Sequence, residues 1–230
     1  VLVIAVPVLS RPERVDPLVR SITDATSLPH RIVFICSPSD SDEIRSCRKS
    51  GQETIIAEWE PGPGDFAKKI NLAYRRSDEP FFLIAADDLS FHPGWDREAL
   101  RVAEETNAGV IGTNDLHNPR VLKGEHSTHP LVRRAYIAEQ GGTFDGSGEV
   151  LCERYDHQWV DDELCLTARL RGQWAFAREA RIEHLHPYFG LAEMDDTYRK
   201  ALRASREDFR LFSYRQRELR RHLRRQGVRA

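Results

Sequence analysis

Apolar residues in this chain come first as short unbroken runs and later as a long amphipathic stripe. Val1–Val6, Arg31–Cys36 and Phe81–Ala86 are runs of strand length, each closed by turn-forming residues. Runs of that kind predict strands buried on both faces. Glu53–Trp59 and Gly109–Thr113 predict two more. Between them helices are expected over about 13–26, over Asp42–Lys49 as a short polar helix, and over Asp65–Arg76 and Trp95–Thr106. The third of these follows the Pro61-Gly62-Pro63-Gly64 break, with Asp65 expected as its N-cap and Phe66, Ile70, Ala73 and Tyr74 on its inner face. Strands alternating with helices predict a mostly parallel sheet covered on both sides.

The second half is patterned differently. Asn114 to Glu125 is polar and loop-like, Pro130–Gln140 predicts a short helix ended by Gly141-Gly142, and Trp159–Arg171 a helix stopped at Gly172. Trp174–Ala177 and Arg181–Leu185 read as short strands. Glu193–Arg225 reads as one long helix or two, with Leu202, Phe209, Phe212, Leu219 and Leu223 as the apolar stripe. No linker-like stretch separates these parts. The expected organisation is an α/β domain over residues 1–192 and a basic helical extension over 193–230.

Composition adds two constraints. The 230 residues are 40% hydrophobic and 30% charged with a net charge of −2, which is globular and not polyanion-binding as a whole. The average hides an asymmetry: from Arg199 onward twelve Lys and Arg face only Glu207, Asp208 and Glu218, a local excess of about +9. Cys36, Cys47, Cys152 and Cys165 lack C-x-x-C spacing and predict buried thiols in a reducing, cytoplasmic setting. The opening VLVIAVPVL is too short to span a bilayer, lacks the features of a signal peptide, and reads as the first strand.

Chemistry concentrates in three polar clusters. Phe81–Ala86 stops at Asp87 and Asp88, ahead of the Pro93-Gly94 break and Trp95. Paired carboxylates at the end of a buried strand stand where open α/β sheets bind ligands, and suit a hard divalent cation serving a phosphate. Asp161, Asp162 and Glu163 open the helix after Trp159. There they also complement the helix dipole, so the cluster alone does not specify catalysis. His184 and His186 lie two apart in an extended segment and project to one side; imidazole is a common metal ligand.

Taken in order, five pieces resemble the GT-A fold glycosyltransferases, family-2-like and of the small phage type. VIAVPVLSRPERV resembles the first strand and base-holding loop, GDFAKKINLAYRRS the helix before the metal strand, and FFLIAADDLSFHPGW the Asp-x-Asp strand. WVDDELCLTARLRG resembles the segment of the catalytic carboxylate and ARIEHLHP the late strand with a metal-ligand histidine. The first acid of Asp-x-Asp is replaced by Ala86, and the spacer between the base and Glu-Leu is missing.

The resemblance implies a GT-A, Rossmann-like sheet and a nucleoside-diphosphate sugar donor, UDP or GDP type, held with Mn²⁺ or Mg²⁺. It assigns the metal to Asp88 with His184 or His186, and donor contacts to Pro7, Ser10, Arg11, Lys68, Asn71 and Asp87. Asp161 or Asp162 would be the general base of an inverting transfer. Arg169 is a further diphosphate or base candidate. The acceptor would be chosen by Asn114, Asp115, His117, His126 and His129, with Tyr136 or Trp159 stacking on a ring. Three alternatives stand beside this. A phage-type enzyme could glycosylate hydroxymethylated DNA bases, the basic tail contacting the polyanion. A non-catalytic nucleotide-sugar-binding module is another. A nucleotidylyltransferase is disfavoured, because the loop Pro7–Pro12 has no glycine to cradle a triphosphate.

Overall fold

The computed structural model describes residues 1–225; the side chains of Ala204 and Leu223, and Arg229 of the basic extension, lie outside the described residues. Strand β1 (Leu2–Pro7) pairs in parallel with β2 (His30–Cys36) and β4 (Phe81–Ile84), and β2 pairs with β3 (Glu53–Ile56). Beyond β4 the sheet turns mixed. It continues through β7 (Leu131–Arg133), β6 (Val110–Asn114), β8 (Trp174–His184) and β5 (Leu89–Phe91), in the order β3-β2-β1-β4-β7-β6-β8-β5. β7 is antiparallel to β4 and β6, and β5 to β8, while β6 and β8 are parallel.

Because β1 is apolar at every position, its two faces feed two cores. Leu2, Ile4 and Val6 join the cluster under α1 (Val15–Ala25) and α4 (Trp95–Thr106). Val3 and Ala5 join the opposite cluster, under α3 (Asp65–Arg75), α6 (Arg134–Gln140) and α7 (Val160–Leu170). Two further helices, α2 (Ser41–Lys49) and α5 (Pro119–Leu122), flank the sheet, and α8 (Asp196–Arg225) closes the described chain.

Several expectations need correction. Asp65 does not cap α3: Gly64 does, at φ 77°, and a Cβ there would come within 2.5 Å of the Glu153 carbonyl oxygen. Asp65 instead pairs with Lys69 at 2.8 Å. The segment expected to be helical from Pro130 starts as β7, because its Leu131 and Val132 are buried between β4 and β6. The two late strands are one, β8, with an irregularity opposite Gly112 and Asn114. Leu89–Phe91, which carries no assignment from the sequence, is a strand because it pairs with the end of β8. On α8, Leu202 and Phe209 of the expected stripe are about half exposed while Leu219 is buried, and among the described residues the other buried positions are Tyr198, Ala201, Asp208 and Arg215. The helix faces the body with polar groups that a search for an apolar stripe passes over. All four cysteines are free and buried. Among the described residues no helix is long and apolar enough to cross a membrane.

Candidate active site

Strand polarity gathers the polar clusters at one sheet edge. β1 and β4 run parallel and end there, delivering Arg11 and Asp87-Asp88 through the loops that follow. β7 runs the other way and so begins there, at His129-Pro130; the Pro130 carbonyl accepts from Ile84 N–H at 3.2 Å. β8 ends there with His184, whose register partner in β5 is Leu89. Leu185 N–H also donates to the Asp88 carbonyl at 2.8 Å. Residues separated by nearly a hundred positions are thereby fixed side by side through backbone pairing.

The Asp88 carboxylate is buried. Its Oδ2 lies 3.2 Å from His184 Nε2 and accepts from the Tyr198 hydroxyl at 2.7 Å. Its Oδ1 is buried without a partner. Burial alone would raise this carboxyl, but the bond from His184, with further help from Tyr198, holds it well below the usual range. Asp87 is pushed up by burial and by its neighbour's charge, against the pull of Arg11. Arg11 Nη1 donates to Asp87 at 2.9 Å, its Nε and Nη2 grip Asp195, and its guanidinium lies 4.0 Å from the centre of the Tyr198 ring. The start of α8 therefore sits on the loop after β1.

One carboxylate oxygen and one imidazole nitrogen each from Asp88, His129 and His184 lie within 4.8 Å of one another. His186 is near His184, with ring centres 5.0 Å apart, but its Nδ1 accepts from Tyr188 N–H. His129, expected on the acceptor loops, is the second histidine that joins Asp88 and His184 in this group. The only sequence signal for this was its position directly before the apolar Pro130–Val132.

The opposite wall carries Asp161 and Asp162 on the first turn of α7. Asp161 Oδ2 is 3.2 Å from His126 Nε2, and its charge reaches His129 and His184. Burial disfavours ionised Asp161, yet the bond from His126, the charge of that imidazole and backbone N–H groups at the helix start together outweigh it, and the carboxyl is lowered. Asp162 is raised by burial and then by Asp161, and it pairs with Arg120 at 2.5 Å. The approach to this turn is strained: Trp159 has φ 67°, uncommon for a residue with a side chain. It is held there by Asp208 of α8, whose carboxylate accepts the N–H groups of Asp156, His157 and Gln158 at 2.8–2.9 Å, and by stacking of Trp159 on Phe212.

The remaining expected donor contacts divide. Ser10 bonds Asp40 and lies at the rim, and Pro7 ends β1. Lys68 donates to the Pro63 carbonyl at 2.9 Å. Its neighbour Lys69 is the buried one, donating to Val8 O at 2.9 Å and Ser37 Oγ at 2.8 Å and so bracing the loops after β1 and β2. Asn71 is engaged by Leu151 O and Glu153 and by the N–H groups of Val150 and Leu151, so it holds the 150–153 segment and has no free group for a donor. Tyr136 is buried and cannot stack on a substrate. Arg169 donates to Glu125 O. With Arg120, Trp159, Asp162, Phe212 and Arg220 it lines a groove of about 440 Å³ between α7 and α8.

Glu43 of α2 is wholly buried and accepts Arg11 N–H at 2.6 Å. Burial raises it to about 7. The folded state thus holds a proton that the unfolded chain releases near pH 4.5, and stability falls as pH rises from there through about 7. Glu43→Gln is expected to melt higher than the parent at pH 8 and no higher at pH 5; equal differences at both pH values would exclude this linkage.

The pattern of the family described as glycosyl transferase family 2 matches residues 3–159. No curated protein sequence matches. Among solved structures, the chain is similar to the mannosyltransferase PcManGT from Pyrobaculum calidifontis, solved with GDP-Man and Mn²⁺, at 12% identity and TM-score 0.62 over 80% of this chain and 57% of that one. It is similar to S. aureus TarS at 13% identity and TM-score 0.57, over 77% and 58%. It is also similar to glucosyl-3-phosphoglycerate synthase from Mycobacterium tuberculosis, solved with Mn²⁺, UDP-Glc and phosphoglyceric acid, at 12% identity and TM-score 0.59, over 87% and 76%. The chain spans less than three fifths of the first two. At these identities the likeness is one of fold, the GT-A fold.

Proposed function

The chain belongs to glycosyl transferase family 2, and from that premise we propose that it transfers a sugar from a nucleoside diphosphate to an acceptor hydroxyl with a divalent cation bound at Asp88. The observation that carries this reading is the unpartnered, buried Asp88 Oδ1 beside His184. A buried carboxylate oxygen without a donor is costly unless something else occupies it. The residues fit a cation, with Asp88 and His184 as holders. When bound, such an ion stabilises the charge developing on a diphosphate leaving group. Three solved structures of this fold contain Mn²⁺ with a nucleotide sugar, which supports the same reading.

In this reading Arg11 and Arg14 supply positive charge toward the phosphates once Asp195 gives way to them. Asp161, across the site and ionised, takes the proton of the attacking hydroxyl, and His126 fixes its orientation. A single base facing the leaving group gives inversion at the anomeric carbon; a product that keeps the donor's configuration would exclude it. The groove beside Asp162, with Trp159 and Phe212 as apolar wall and Arg120, Arg169 and Arg220 at its edges, is the natural acceptor channel. The polyanion reading of α8 has less support: Arg199, Arg210 and Arg221 pair with acids three residues before them, and Arg215 is buried.

Calorimetry with UDP and GDP tests the core of the proposal. Binding is expected to require Mn²⁺ and to weaken at least about tenfold in Asp88→Asn. Equal binding with and without the metal would instead favour a non-catalytic module.

A further inference from the structure

We propose that His129 is a third protein ligand of the cation, making the site two imidazoles and one carboxylate, and that this set selects Mn²⁺ or a similar transition ion over Mg²⁺. The proposal rests on the reading of Asp88 and His184 as cation holders and adds to it a ligand that the Asp-x-Asp and late-histidine resemblance does not contain.

His129 is 4% exposed, and neither of its ring nitrogens has a hydrogen-bond partner. Both polar ends of an imidazole seldom go unmatched in an interior, and each unmatched end costs free energy. One atom from each of Asp88, His129 and His184 lies within 4.8 Å of the others. The His129 and His184 rings meet edge to face, with centroids 4.9 Å apart. The position is built. The His129 carbonyl accepts from Thr113 Oγ1 at 2.7 Å, and the next residue is pinned to β4 through Ile84 N–H. These bonds fix the backbone of His129 beside the end of β4, and the side chain is buried there.

Two other clusters of potential ligands differ in this respect. In the group of His126, Asp161 and Asp162, Asp161 has His126 and Asp162 has Arg120. In that of Asp145, Cys152 and Glu163, Arg215 already neutralises both carboxylates. Only the His129 group combines a buried carboxylate oxygen and a buried imidazole that are both unmatched among the described residues.

Donor chemistry sets the preference. Mg²⁺ favours an oxygen shell and parts reluctantly with water, whereas imidazole suits first-row transition ions. Three protein ligands leave the remaining positions to groups from outside the chain.

Pulsed electron paramagnetic resonance of the purified chain with one equivalent of MnCl₂, without nucleotide, reads the ligands directly. Comparing ¹⁴N- and ¹⁵N-histidine samples is expected to count two coordinated imidazoles in the parent and in His186→Ala, and one in His129→Asn. Competition calorimetry is expected to show Mn²⁺ favoured over Mg²⁺, with the preference falling at least about tenfold in His129→Asn. One imidazole in the parent, or two that persist in His129→Asn, overturns the proposal while leaving the Asp88 site standing. No imidazole at all, with Mn²⁺ binding unchanged in Asp88→Asn, overturns the underlying reading as well. If His129→Asn does not fold, the parent and His186→Ala counts decide.

Discussion

Asp161→Asn is expected to lower the rate of sugar transfer by about 10²–10⁴-fold, the range over which a general base contributes, while nucleotide affinity changes by less than about twofold. Asp161 and Asp162 are adjacent, but their surroundings pull them apart. Asp161 is lowered through the bond from His126 and faces the imidazoles beside Asp88, so it is ionised and directed at the site. Asp162 is raised and tied to Arg120 on the groove side. Asp162→Asn is therefore expected to change the acceptor KM more than kcat. Asparagine at 161 can still meet His126 in size and polarity, so the fold is retained while the proton acceptor is lost. Steady-state rates with the natural donor, alongside Mn²⁺-dependent nucleotide titration, separate the two residues. An Asp161→Asn enzyme within threefold of the parent would return the role to Asp162 or to neither.

Arg215→Met is expected to destabilise the fold by about 3–5 kcal/mol, the usual cost of breaking a buried ion pair from one side. In a domain of this size that is a fall in Tm on the order of 10 °C. Arg215 and Glu163 are each 2% exposed at the side chain. Two guanidinium nitrogens bond the Glu163 carboxylate at 2.7 Å, and Asp145 takes the outer edge. Methionine fills much of the volume but leaves Glu163 with only the Tyr155 hydroxyl, at 2.7 Å. Adding Glu163→Gln to Arg215→Met is expected to recover part of the loss, because the uncompensated charge is gone. A single-variant loss below about 1 kcal/mol would show that the pair is not the clamp between α7 and α8 that its burial implies.

The parallel half of the sheet was legible because its strands are apolar at every position and their helices have clear inner faces. The position of the two acids at the end of Phe81–Ile84 was legible for the same reason, since the buried run stops at them; that run by itself did not separate a ligand site from a solvated turn. His129 was not. It lies in a polar stretch, and only the reversed direction of β7, which three strand residues barely signal, brings it to the same edge. The inner side of α8 was misread for a different cause. Phe212 and Leu219 of the expected stripe do face the body, but the helix is also held by Asp208, Arg215 and Tyr198, whose partners are backbone N–H groups and carboxylates distant in the chain, and periodicity registers apolar residues only. Asn71 shows the reverse error, since its place in a resembling segment suggested a ligand contact where its amide in fact braces a loop.

Arg11 and Asp195 touch across 184 positions, and Asp88 and Tyr198 across 110. This has a consequence during synthesis. A ribosome that has delivered everything through α7 has released Asp88, His129 and Asp161, but neither His184 nor the start of α8. Until β8 and the start of α8 follow, the sheet lacks the strand that pairs with β6 and β5, and the edge where Asp88, His129 and His184 meet is incomplete.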